Sequence, residues 1–179
     1  TEPEYLRAID ALPLVVQCSV STEDPVLLSR LEPEAPPLEE RLGALKTLYE
    51  AGAHVMLRLA PYAPDLVGDV DSLLARAHEA GVQVVQVGPL KIYHANGSRQ
   101  RLNEALGYNY LQTTQLTYEN CGVFSAITLA EQRDHVEHLE RAAAEHGMEV
   151  LTCDDVTGNR AWRCCCGTDG LKDFEAIAE

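Results

Sequence analysis

Gln17, Ser19 and Ser21 occupy every second position of an otherwise apolar stretch, Leu14-Val-Val-Gln-Cys-Ser-Val-Ser-Thr22. Residues two apart on a strand share a face. A strand enclosed in a parallel α/β sheet is ordinarily apolar on both faces. Hydroxyls gathered at its C-terminal end therefore point to a ligand site, because such sheets carry their chemistry there. The competing reading is that the serines only bond the backbone of the next loop. Arg58 is the second candidate. It alternates with His54 and Met56, opposite Val55, Leu57 and Leu59. A guanidinium on a core strand is costly to bury without an anion. A ligand carboxylate or phosphate suits its planar fork; an internal pair with Asp24, Glu32 or Asp65 is the alternative. Gln86 depends on register. Counting from the preceding glycine turns it outward, away from the face of His54 and Met56, and a slip of one residue reverses that.

Thiols form a separate group. Cys153 is followed at a distance by Cys164, Cys165 and Cys166. Soft thiolates suit an iron–sulfur cluster or zinc, so these four are candidate ligands of an auxiliary cluster or a structural zinc. Their spacing matches no zinc ribbon, and reduced thiols in a tail are the plainer reading. Cys18 and Cys121 read as small hydrophobes. His135 and His138 stand three apart on a charged helix face, which favours solvation over metal. Tyr108, Tyr110 and Tyr118 read as packing residues.

The elements that must position these groups are visible in a repeat. Glu50-Ala-Gly-Ala-His-Val55, Glu79-Ala-Gly-Val-Gln-Val84 and Glu145-His-Gly-Met-Glu-Val150 each read as a helix end, a glycine stop and a strand start. Leucines at helical spacing (Leu38, Leu42, Leu45, Leu48) precede the first copy, and Val70, Leu73, Leu74 and Ala77 precede the second. Thr128-Leu-Ala-Glu131 is a capping-box pattern opening the helix before the third. Strands follow at about 14–21, 54–60, 82–87 and 150, parallel and joined by helical crossovers. Residues 91–127 read as an irregular insertion with one short helix near 99–106. The expected division is 1–90, 91–127 and 128–179. A closed eight-stranded barrel takes about 250 residues, so 179 residues hold part of one, or an open sheet.

Composition narrows the function class. Twenty-eight acidic against 14 basic residues give a formal charge of −14, which gives no support to general nucleic-acid binding. Hydrophobic residues make up 46 %, enough for a folded core. No apolar run reaches the length of a membrane span, and none reads as a signal peptide. Adjacent cysteines are a poor disulfide framework. A cytoplasmic protein is the expectation. The chain opens at Thr1 without an initiator Met and reaches a core strand almost at once, as a piece of a longer protein would.

The order of these features resembles a known group. Ser19-Val-Ser-Thr22 is followed by Asp24-Pro25, Leu31-Glu-Pro-Glu-Ala-Pro36, Glu40-Arg-Leu-Gly-Ala-Leu45, Glu50-Ala-Gly52, Leu57-Arg-Leu-Ala-Pro61, Pro64 and Gly68-Asp69. Over residues 14–90 this is similar to the second half of radical S-adenosylmethionine (SAM) enzymes of the spore photoproduct lyase or DNA repair photolyase group. The resemblance implies an α/β fold, a parallel partial TIM-type barrel of which this chain carries three to four βα units, strands four to six among them. It implies that Ser19 and Ser21 touch the ribose or amino-acid part of SAM and that Arg58 meets its carboxylate. The group's Cys-x-x-x-Cys-x-x-Cys, which holds a [4Fe-4S] cluster, and its Gly-Gly-Glu-like element are absent from the sequence. Both are expected upstream, in a missing half, and that half or a partner is expected to cover the open sheet edge at Leu14. The chain alone is then expected to be inactive. Two other classes stand beside this one: a non-redox α/β-barrel lyase or hydrolase acting on an anionic substrate through Arg58, and a non-enzymatic metal-binding or interaction domain.

Overall fold

The computed structural model describes Leu6 and residues 14–93, 97–110, 114–119 and 122–152. Cys121, Cys153, Cys164, Cys165 and Cys166 lie outside the described residues. The described elements are β1 (Val15–Val20), α1 (Pro25–Leu31), α2 (Leu38–Glu50), β2 (His54–Tyr62), α3 (Val70–Glu79), β3 (Val84–Pro89), β4 (Ile92–Tyr93), α4 (Ser98–Leu106), β5 (Thr114–Glu119), β6 (Gly122–Ile127), α5 (Leu129–Glu145) and β7 (Glu149–Thr152).

Three helix ends share one construction, which makes the repeat a structural one. Gly52, Gly81 and Gly147 have φ of 97°, 87° and 69°, a region that only glycine enters cheaply. The amide after each glycine reaches back to a carbonyl in the helix: Ala53 to Leu48 at 3.0 Å, Val82 to Ala77 at 3.1 Å, Met148 to Ala143 at 3.0 Å. This is the Schellman arrangement, and it turns the chain off the helix. Ala53, Val82 and Met148 are then buried as the chain enters the sheet. Helix starts are equally defined. The Asp24 carboxylate accepts from the amides of Val26 and Leu27, and that of Asp69 from the amide of Ser72. Thr128 and Glu131 form the capping box read in the sequence.

The four long-range strands form a parallel sheet in the order β1-β2-β3-β7. Among the described residues it is open, with β1 and β7 at its two ends. Val20, Val55, Leu57, Leu59, Val85, Val87 and Val150 of the strands join Leu42, Leu45, Leu73, Leu74 and Leu139 of the helices in one core. Each such side chain stabilises the fold by about 1.5–3 kcal/mol when fully buried. Gln17, Ser19, Met56, Arg58, Gln86 and Leu151 belong to the other face by alternation and register. Gln17 turns its amide toward Met56 Sδ at 3.9 Å on that face.

Register corrects the reading of Gln86. Met56 pairs with Val84 and Arg58 with Gln86, so Gln86 lies on the face of Arg58, not opposite it. It is only 1 % exposed. The cause is the helix-to-strand step. Pairing of β2 starts at His54, two residues after Gly52, whereas that of β3 starts at Val84, three after Gly81. The extra residue shifts every later side chain to the opposite face.

Part of the segment expected to be irregular is a second sheet. β4, β6 and β5 pair antiparallel in that order. Ahead of the β5–β6 hairpin lies α4, one residue longer at its start than the expected short helix. Ala63, Leu66, Ile92, Leu106 and Tyr110 form a smaller apolar cluster, with Leu27, Leu31, Leu90 and Leu102 against it. This cluster brings α1 and α4 together at the C-terminal ends of β1, β2 and β3. No helix among the described residues is long and apolar enough to cross a membrane.

Candidate functional site

A cavity of about 490 Å³ opens at those strand ends. Ser19 and Ser21 line it from the end of β1, Ala60 and Pro61 from β2, and Leu90 from just beyond β3. Arg30, Leu31 and Glu32 come from α1 and its C-cap, and Arg101, Leu102 and Ala105 from α4. The size suits a small ligand, and the composition (apolar walls with a few polar groups) is that of a ligand site. The Ala60–Pro61 peptide bond in its wall is cis.

The β1 corner is tightly bonded. Ser21, 5 % exposed, donates its hydroxyl to Glu32 Oε1 at 2.5 Å. Glu32 Oε2 accepts from Arg41 Nη1 at 2.7 Å. The same nitrogen donates to Ser19 O at 2.9 Å, and Arg41 Nε to Pro36 O at 2.6 Å. Because Leu14 O accepts from the His54 amide of β2, Ser19 O, an odd number of residues on, faces the sheet edge. Arg41 therefore closes the C-terminal end of that edge. The sequence reading missed Arg41 and gave Glu32 a different role. Their charge and the Leu-Glu-Pro run were visible, but the path of the connection that brings them together was not.

Ser19 and Arg58 are register partners, so the strands place them side by side. Ser19 lines the cavity with Ser21; Arg58 does not. Arg58 is exposed, and among the described residues it has no hydrogen bond or ion pair. Each internal partner considered for it is engaged elsewhere. Asp24 caps α1, Glu32 holds Ser21 and Arg41, and Asp65 accepts from the Tyr110 hydroxyl at 2.7 Å. Burial, reinforced by that bond to Asp65, raises the Tyr110 phenol above its ordinary range. Tyr62, at the end of β2, is pushed up to about 12 by burial. Burial likewise raises the Cys18 thiol, with Arg41 opposing it, and Cys18 packs against the core as a small hydrophobe.

Of the two helix histidines, His135 sits edge-on to Tyr62 with ring centroids 6.4 Å apart and His138 is exposed. No group of three or more potential metal ligands occurs among the described residues.

An open parallel sheet, helices packed on one face and a cavity at the strand C-termini define a portion of an α/β barrel-type fold. The structures it resembles are those of spore photoproduct lyase, a radical SAM enzyme. A mutant form with bound AdoMet and dinucleoside spore photoproduct matches 83 % of this chain and 47 % of its own, with a TM-score of 0.61 and 14 % identity. A second mutant form matches 76 % and 43 %, with a TM-score of 0.57 and 14 % identity. The lyase complexed with dinucleoside spore photoproduct matches the same shares at a TM-score of 0.53 and 13 % identity. This chain thus spans about half the length of the solved structures it matches, and the likeness is one of fold. No protein-family model matches the sequence, and no curated protein sequence does.

Proposed function

We propose that this chain is one portion of a radical SAM enzyme and that the cavity at the ends of β1, β2 and β3 holds S-adenosylmethionine. One observation carries the reading: the polar corner of Ser19, Ser21 and Glu32 opens into an apolar cavity at the end of a sheet whose fold is that of an enzyme solved with AdoMet. The apolar walls (Leu31, Leu66, Leu90, Leu102) exclude water from the cofactor. Ser19 and Ser21 contact its ribose or amino-acid part. Arg58, the exposed register neighbour of Ser19, lies beside the cavity rather than in its lining and takes the carboxylate where the cofactor reaches past Ser19. With a reduced [4Fe-4S] cluster, the cofactor supplies hydrogen-atom abstraction from a substrate C–H bond. The described residues offer no ligand set for that cluster; an upstream Cys-x-x-x-Cys-x-x-Cys provides it. Cys153, Cys164, Cys165 and Cys166 are proposed for an auxiliary iron–sulfur cluster or zinc. The formal charge of −14 gives no support to a nucleic-acid substrate.

A second reading has one observation in its favour. Arg30 and Arg101 both line the cavity, as they would in a non-redox lyase or hydrolase acting on an anionic substrate. Calorimetric titration separates the two. The chain is expected to bind S-adenosylhomocysteine, and Arg58→Gln is expected to lose about 1.5–3 kcal/mol, roughly ten- to a hundredfold, as for a hydrogen bond to a charged group. Binding of inorganic pyrophosphate with no binding of S-adenosylhomocysteine would favour the second reading.

A further inference from the structure

We propose that His78 and His146 form a metal site, in which two imidazoles take one borderline divalent ion of the zinc class and clip the end of α3 to the end of α5. The site lies at the N-terminal ends of the strands, at the far end of the sheet from the cavity, and stands whether or not the cavity holds SAM.

The two rings come from different elements. His78 is in the last turn of α3, and His146 is the C-cap of α5. Their ring centroids are 5.7 Å apart, with the planes tilted by 33°. An ion about 2.0–2.1 Å from a ring nitrogen lies about 3.2 Å from that ring's centroid, so two rings on one tetrahedral ion have centroids about 5.2 Å apart. A small turn about χ2, a soft torsion in histidine, covers the difference of about half an ångström. The helices that carry the rings are held together, because Leu73, Leu74 and Ala77 of α3 share a core with Leu139, Ala142 and Ala143 of α5. Each histidine also belongs to a fixed helix end. The Gly81 amide donates to His78 O at 2.9 Å, and the His146 amide donates to Ala143 O at 3.0 Å.

The surroundings suit a cation. Both rings sit where a helix presents its last carbonyls, the negative end of its dipole. His78 is exposed and His146 half-buried, so water reaches an ion held between them. His78 also lines a pocket of about 270 Å³ with Glu50 and Glu79, whose charges Lys46 opposes there. No group of three ligating side chains occurs among the described residues, so water completes the shell. Imidazole nitrogens suit zinc, copper and nickel, whereas magnesium and calcium take oxygen ligands. The N-terminal face of a barrel-type sheet serves stability rather than chemistry, and a clip between two helices does that.

The test is a zinc titration of the full chain carrying Cys153→Ser, Cys164→Ser, Cys165→Ser and Cys166→Ser, so that no thiolate from these positions competes for the ion. The ring-nitrogen NMR signals of His78 and His146 are expected to move together and to saturate at one equivalent. At zinc a hundred times Kd, the melting temperature is expected to rise by about 5–10 °C. His78→Gln and His146→Gln are each expected to weaken zinc binding by at least about tenfold, the least that losing even an indirect partner of a bound metal costs. His138→Gln, at an exposed position of the same α5, is expected to leave it unchanged, and magnesium is expected to move neither ring. Movement of only one ring, zinc affinity retained in either variant, or an equal loss in His138→Gln overturns the proposal. The ring signals are read without any histidine variant, so they decide the question even where a variant fails to fold.

Discussion

Arg58 and Arg41 show how differently two arginines 17 positions apart on neighbouring elements can be used. Arg41 is buried and holds acceptors from β1 and the connection after α1. Arg58 is exposed on the opposite face of the sheet from the core. Another residue-scale interaction has a pH signature. The Thr128 hydroxyl and amide both bond the Glu131 carboxylate, and these bonds hold its pKa below the ordinary carboxylate range. A folded-state pKa below the unfolded one contributes stability that is present above the unfolded value and is lost as pH falls through the folded value. Thr128→Ala is therefore expected to destabilise the chain at neutral pH, and urea melts should show the gap to the native chain shrinking below about pH 4. A gap that stays constant into acid would assign the effect of Thr128 to its own cap bond alone. At this scale the sequence was partly legible. Alternation exposed Ser19, Ser21 and Arg58. The Ser21–Glu32–Arg41 chain was not legible, because it depends on the course of a proline-rich connection that no periodicity encodes.

Elements are set by their ends. The glycine stops after α2, α3 and α5 share the same backbone bonds, but they do not share surroundings. A Cβ on Gly52 would meet nothing within 4 Å, while one on Gly81 would lie 2.2 Å from the Tyr49 ring. Both substitutions carry the cost of a left-handed backbone, about 1–2 kcal/mol. Gly81→Ala is expected to lower the melting temperature more than Gly52→Ala, and adding Tyr49→Ala should close most of the difference. Equal shifts would mean that the ring gives way freely. These stops are also why the parallel elements could be read from sequence: a helix period, a glycine and a β-branched run recur together. The second sheet could not be read that way. β4 has two residues, and β5 and β6 mix Thr, Gln and Ser among apolar residues, so no strong alternation marks them. The slip at Gln86 has the same origin, since one residue in a turn decides a face and the pattern of β3 (Val-Val-Gln-Val) is apolar on both sides.

On the scale of the whole chain, the fold outlasts the sequence. At 13–14 % identity the same arrangement recurs in spore photoproduct lyase, because a parallel sheet requires burial and glycine stops more than it requires particular residues. Among the described residues the sheet is open at β1, and an unpaired strand edge is a surface that proteins usually cover. Arg41 closes only its last carbonyl. This chain matches about half the length of the lyase structures and carries its cavity at the C-terminal ends of β1, β2 and β3; under the function proposed above, that cavity is one side of a larger site. The most direct test of this account is an NMR titration of the isotopically labelled chain with S-adenosylhomocysteine. Saturable shifts are expected at Ser19, Ser21, Glu32, Leu90 and Leu102, with Lys46, Tyr49 and His78, which line a separate pocket, unmoved. Shifts confined to that second pocket, or none at millimolar ligand, would contradict it.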